Sequence, residues 1–160
     1  MENHTRLKVN KLIAITGPSG VGKTTISKII SVCLGYEKTI IISGDDSHLW
    51  ERDDENWKFI THLSPLANNL NKEFIDLSAL KNNEAIDRAH YDHTTGRFTK
   101  PNSIQPKEFI VYEGLHTMHG DLSQLADISF YIDVEPSLKN EWKISRDPTK
   151  RGYSIVTGKQ

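Results

Sequence analysis

A chain of 160 residues with a net charge of -1 has the length of one domain with its own core, 1–160, and no bulk charge to draw nucleic acid or an anionic membrane. Cys33 is the only cysteine, which excludes an internal disulfide; its place among apolar residues predicts a buried, inert thiol. Met1–Arg6 lacks an apolar leader core and no apolar run approaches membrane-spanning length, so a cytoplasmic location is expected, with neither nucleic acid nor membrane as partner.

In chain order, Leu12–Thr16 is a short apolar run that predicts a buried strand. Directly after it, Gly17, Pro18, Ser19, Gly20, Val21, Gly22, Lys23 and Thr24 spell G-x-x-x-x-G-K-T, with Thr25 next in the chain. Thr24–Leu34 then carries apolar residues at helical spacing. Strand, glycine loop and helix are the context that a phosphate-binding loop needs. Glycines let backbone N–H groups curl around phosphate oxygens, and the helix N-terminus adds partial positive charge. Lys23 is expected to reach the β- and γ-phosphates of ATP, and Thr24 to ligate Mg²⁺.

Thr39–Ser43 predicts a second strand, ending in Gly44-Asp-Asp-Ser-His48. Asp45 or Asp46 could take the proton of an attacking hydroxyl, hold Mg²⁺ through water, or cap a helix. Leu66–Lys81 predicts a helix closed by Asn82 and Asn83. Arg88–Lys100, with its Thr95-Gly96 turn, predicts a hairpin projecting from the sheet and covering a substrate. Phe109–Glu113 predicts a third strand, with Glu113 where a Walker-B-type acid assists Mg²⁺ and Gly-Leu-His116 just beyond it. Ile128–Val134 predicts a fourth strand and Ser137–Ser145 a helix.

Apolar strands alternating with helices argue an α/β fold with a mostly parallel sheet covered on both faces. Ligands of such sheets bind at the carboxyl ends of the strands, which brings three polar clusters to one rim. Beyond them, 143–154 concentrates cations. Lys143 and Arg146 share one helix face, Pro148 stops the helix, and Gly152 loosens the loop after it. A phosphoryl-transfer lid has this composition, and so does a solvated basic face. The pairs His90/His93 and His116/His119 lack a third ligand at matching spacing, which favours hydrogen bonding to substrate or plain surface histidines over metal.

As a set, these residues resemble the phosphoribulokinase branch of the uridine kinase-like P-loop kinases. Gly44–His48 with Arg52 looks like that family's substrate segment, and Leu63–Asn69 resembles its D-P-x-A-N-N stretch. Tyr91–Gly96 resembles Y-N-H-x-T-G, and Glu113–His116 resembles E-G-L-H-P. Trp142–Asp147 and Arg151–Ser154 resemble W-K-I-x-R-D and R-G-H-S. The resemblance implies the P-loop kinase fold and transfer of the γ-phosphate of Mg-ATP to D-ribulose 5-phosphate. It also implies roles for residues of this chain. Asp45 becomes the catalytic base, Lys23 and Glu113 serve ATP and Mg²⁺, and His48, Arg52, Tyr91 and His93 form the sugar-phosphate site. Lys143, Arg146, Asp147 and Arg151 serve the lid and the substrate. The alternatives are a uridine/cytidine kinase and a non-catalytic nucleotide-binding protein. The family's chains continue past the lid into a further helix and strand. If this chain is truncated before them, an open sheet edge predicts self-association or marginal stability.

Overall fold

The computed structural model describes residues 9–138 and 141–142. Strand β1 (Lys11–Thr16) is buried along five of its six residues. The phosphate-loop segment leads from it into helix α1 (Lys23–Leu34), which starts after Gly22 in the left-handed region and stops at Gly35. Strand β2 (Thr39–Ser43) comes next, then a tight helical turn over Gly44–Ser47. Helix α2 (Leu70–Lys81) begins at Asn69, whose side chain accepts the Lys72 N–H. It ends at Asn82, with Asn83 beyond it at φ 66.

Four short strands come after α2: β3 (Ile86–Arg88), β4 (Tyr91–Asp92), β5 (Arg97–Phe98) and β6 (Asn102–Ile104). They pair β3 with β6 and β4 with β5, both antiparallel. Strand β7 (Phe109–Glu113), the short helix α3 (Leu122–Leu125) and strand β8 (Ile128–Tyr131) complete the described elements.

The central sheet has the order β2-β7-β1-β8, and every pairing in it is parallel. Alternate residues of β1 and β7 serve two cores. Leu12, Ala14, Ile110 and Tyr112 pack toward Leu77 and Leu80 of α2. Ile13, Ile15 and Val111 pack toward Ile26, Ile30 and Leu34 of α1. Helices thus cover both faces, as the runs of apolar residues predict. The register sets the site: Ile15 and Ser43 both stand opposite Glu113, so three strands end at one level.

Three expectations need correction. The predicted helix from Leu66 starts at Leu70 instead. Pro65–Ala67 forms a separate turn capped by Ser64, and Asn68 leaves the helical path to bridge His48. Polar caps at Ser64 and Asn69 interrupt what reads as one periodic run. The strand expected over Ile128–Val134 stops at Tyr131. Cys33 is exposed rather than buried, because Ile26, Ser27, Ile30 and Ser31 fill the face of α1 that meets the sheet. Ile29 and Val32 share its outward side, at 56% and 71% exposure. Strand β8 is the edge of the sheet among the described residues, and Ile128, Phe130 and Tyr131 are exposed there. The predicted helix Ser137–Ser145 is helical in its described part, and the rest of it lies outside the described residues, as do Lys143, Arg146, Asp147 and Arg151 of the expected lid.

Candidate phosphoryl-transfer site

The phosphate loop leaves the end of β1 with Gly17 at φ 148 and Gly20 and Gly22 near φ 90. A side chain at Gly17 would meet the Ile132 carbonyl oxygen at 2.2 Å, so only glycine lets the loop pass under the chain after β8. At Gly22 an added methyl group would meet nothing within 4 Å, so glycine is required there by its φ of 91 rather than by crowding. Lys23 Nζ donates to the carbonyls of Gly17 (2.8 Å) and Pro18 (2.9 Å), which draws its ammonium across the loop. The Thr24 hydroxyl donates to Glu113 Oε1 at 3.0 Å. Thr25 is exposed one residue further on.

Glu113 is buried at the end of β7. Burial pushes its carboxyl above the usual carboxylate range; the Thr24 hydroxyl and the Lys23 charge pull it down, while Asp45 and Asp46 push it up. Lys23, Asp45 and Asp46 thus all lie within electrostatic reach of one carboxylate. Gly44 and Gly114 pack closely here: a methyl group at Gly114 would sit 3.1 Å from the Gly44 Cα, close enough that one of them would have to shift.

The two aspartates after β2 have different surroundings. Asp45 has a side chain 38% exposed, and its Oδ2 lies 3.0 Å from His93 Nε2. The Asp46 side chain is 9% exposed: its Oδ1 accepts the Tyr91 N–H at 2.8 Å and meets His90 Nδ1 at 2.9 Å, while its Oδ2 accepts from Arg88 Nε at 3.4 Å. The sequence leaves the pair ambiguous. In the structure one carboxylate opens toward the rim and the other is tied into the fold.

The predicted acceptor residues form one cluster beside Asp45. The Tyr91 ring meets His48 edge-on at 5.2 Å and His93 at 5.1 Å. Asn68 fixes His48 through Oδ1···Nδ1 at 2.8 Å. Arg52 donates from its backbone to Gly96 O at 2.9 Å and from its guanidinium to the carbonyls of His93 and Thr94. Glu51 accepts the Phe98 N–H and pairs with Arg97. The hairpin β4–β5 is thereby folded down onto the 48–58 segment.

Sequence reasoning misses the residues behind this cluster. Arg88 is buried and bonds Glu73, Asp76, Asp46 and the Ser43 carbonyl. Trp57 packs edge-on against His48 and Trp50. The available signal is Glu73 and Asp76, acids three apart on the face of α2 that carries Leu77 and Leu80, where unpaired carboxylates are not tolerated. His116 Nε2 and Thr117 Oγ1, just past β7, are buried without a hydrogen-bond partner among the described residues. Burial and the neighbouring histidines His119 and His48 lower the His116 imidazole below its ordinary value, against a smaller raising by Asp45.

Among known proteins, a phosphoribulokinase from Synechocystis sp. is 32% identical over 151 residues, covering 94% of this chain and 46% of its own length. A uridine kinase from Limosilactobacillus reuteri is 31% identical over 149 residues, covering 90% of this chain and 68% of its own. The chain therefore spans less than half the length of the phosphoribulokinase. The crystal structure of phosphoribulokinase from Rhodobacter spheroides superposes with a TM-score of 0.70 at 24% identity, covering 93% of this chain and 61% of that one. That likeness shows the P-loop kinase fold. Residues 12–159 match the phosphoribulokinase / uridine kinase family, and the chain belongs to it.

Proposed function

We propose that the chain transfers the γ-phosphate of Mg-ATP to a hydroxyl of D-ribulose 5-phosphate or a close pentose phosphate. The observation that carries this reading is the Asp45–His93 contact of 3.0 Å, which puts a partly exposed carboxylate between the phosphate-loop rim and the hairpin. ATP and Mg²⁺ fit the residues present. Lys23 is held by exchangeable bonds to backbone carbonyls, and Thr24 and Glu113 form a hydroxyl–carboxylate pair suited to a hard cation. Bound Mg-ATP supplies the phosphoryl group and the metal charge.

In this reading Lys23 exchanges its loop carbonyls for phosphate oxygens and neutralises charge that spreads over the transferred group. Thr24 and Glu113 would hold the cation. Asp45 accepts the proton of the attacking hydroxyl, and His93 orients that carboxylate. His48 and Tyr91 wall the acceptor, while Arg52 and the lid cations Lys143, Arg146 and Arg151 grip its phosphate; Asp147 supports the lid. The rival is a uridine or cytidine kinase, favoured by the greater share of the uridine kinase that this chain covers. A nucleoside lacks the 5-phosphate and leaves those cations without a ligand to grip. ADP release with ribulose 5-phosphate, uridine and water as acceptors tests the reading. The sugar phosphate is expected to be used best; equal or better use of uridine favours the rival, and no acceptor-dependent release overturns both.

A further inference from the structure

We propose that Arg88 is a positioning residue for the acceptor side of the site: through Ser43 and Asp46 it holds the Asp45 carboxylate and the hairpin bearing Tyr91 and His93 in fixed relation. The inference rests on the acceptor reading above for its catalytic consequence, but its structural content stands on contacts alone. Arg88 sits at the base of the hairpin and is 6% exposed. Its Nη2 donates to the Ser43 carbonyl at 2.7 Å and to Glu73 Oε1 at 2.5 Å. Its Nη1 donates to Glu73 Oε2 at 3.0 Å and Asp76 Oδ2 at 3.3 Å, and its Nε to Asp46 Oδ2 at 3.4 Å.

These bonds gather three elements that are distant in sequence. Glu73 and Asp76 belong to α2, and Lys72 also pairs with Asp76 at 2.6 Å. Ser43 ends β2, and its hydroxyl accepts the Asp45 N–H, so Arg88 fixes the peptide that leads into the proposed base. Asp46 passes the constraint to the hairpin by accepting the Tyr91 N–H. The Asp45–His93 contact closes the circuit at the surface. A guanidinium can do this because its donors form a rigid planar fork; an ammonium, with three donors on one atom, cannot address a carbonyl and three separate carboxylates at once. Buried ion clusters contribute little net stability compared with apolar packing, so the value of this one lies in the geometry it imposes.

The test uses the full chain and Arg88→Lys, which keeps the charge and removes the fork. With ribulose 5-phosphate as acceptor, kcat is expected to fall roughly 10–100-fold, the scale of a misplaced reacting group, with KM for ATP within about two-fold. Hydrogen exchange at the Tyr91 amide is expected to accelerate about ten-fold or more while amides of β1 and β7 keep their protection. Leu122→Ala, in the core but on α3 and so off the elements of the circuit, provides a destabilised control; its kcat should stay at the wild-type value. If Arg88→Lys does not fold, Glu73→Gln must show the same split. A variant with wild-type kcat, or one whose Tyr91 protection is unchanged, overturns the proposal. If the wild-type chain turns over no acceptor, the kinase reading fails, and Tyr91 exchange alone decides the role of Arg88.

Discussion

The two halves of the site are built by different means. The proposed nucleotide half is local: one contiguous stretch, Gly17–Thr24, shapes itself through glycines and backbone carbonyls, with Glu113 beneath it and Ile132 against it. The proposed acceptor half is assembled from afar. Asp45, His48 and Arg52 meet Tyr91 and His93 above a buried arginine that bonds two helix acids, with the hairpin folded onto them. A local site tolerates change around it and fails when its own residues change. A distributed site fails by degrees, through residues that touch no substrate.

Lys23→Met should break the local half outright. It is expected to abolish transfer and weaken ATP binding, because it removes the ammonium that lies across the loop; turnover near the wild-type rate would deny the loop its role. Asp45→Asn should lower kcat by roughly 10²–10⁴ while both KM values stay within several-fold, the scale for a lost general base. Asp46→Asn keeps an oxygen for the Tyr91 N–H and should cost far less. Kinetics on the pair sharpen the comparison, and a larger loss at Asp46 reverses the assignment. Arg52→Ala should raise KM for the sugar phosphate about ten-fold or more and leave KM for ATP nearly unchanged, on the scale of one charge-assisted pair. Equal rises in both constants would make Arg52 a structural clamp on the hairpin.

The smallest effects concern pH and separate the two ends of the sheet. The folded Glu113 carboxyl lies above its unfolded value because it is buried, so its contribution to stability is full below the unfolded value and is lost as pH rises through the folded one. Glu113→Gln should therefore melt higher than the parent at pH 7, with the gap closing as pH falls through the usual carboxylate range. At the opposite end Asp127 is also penalised by burial, but the Leu12 N–H, Lys81 and Lys11 hold its carboxyl at about 2. Its contribution is present above the unfolded value and is lost as pH falls toward 2. With Asp127 partly exposed and the pairs screened by solvent, Asp127→Asn should cost roughly 1 kcal/mol at pH 7. Thermal melts from pH 3 to 8 read both signs, and a Glu113→Gln variant less stable at neutral pH would show that the carboxylate is not strained there.

Legibility in the sequence divides the same way. The sheet strands and α1 are readable because apolar runs and a glycine loop are local signals, and β2 and β7 have the predicted limits. The start of α2 is misread because Ser64 and Asn69 cap within an apolar pattern. The exposure of Cys33 is misread because a helix rich in apolar residues all round hides which side meets the sheet. Asp45 and Asp46 are adjacent letters, and only partners 42 or more residues away distinguish them. Arg88 carries no signal of its own, since its role exists only once α2, β2 and the hairpin are folded together.

The central claim is phosphoryl transfer to a sugar phosphate, and phosphorus NMR of the chain mixed with Mg-ATP and ribulose 5-phosphate tests it most directly. The γ-phosphate signal of ATP is expected to decline as a second sugar phosphomonoester signal grows in equal amount. Loss of the γ-phosphate to inorganic phosphate alone, or growth of a nucleoside monophosphate when uridine is added in competition, would contradict it.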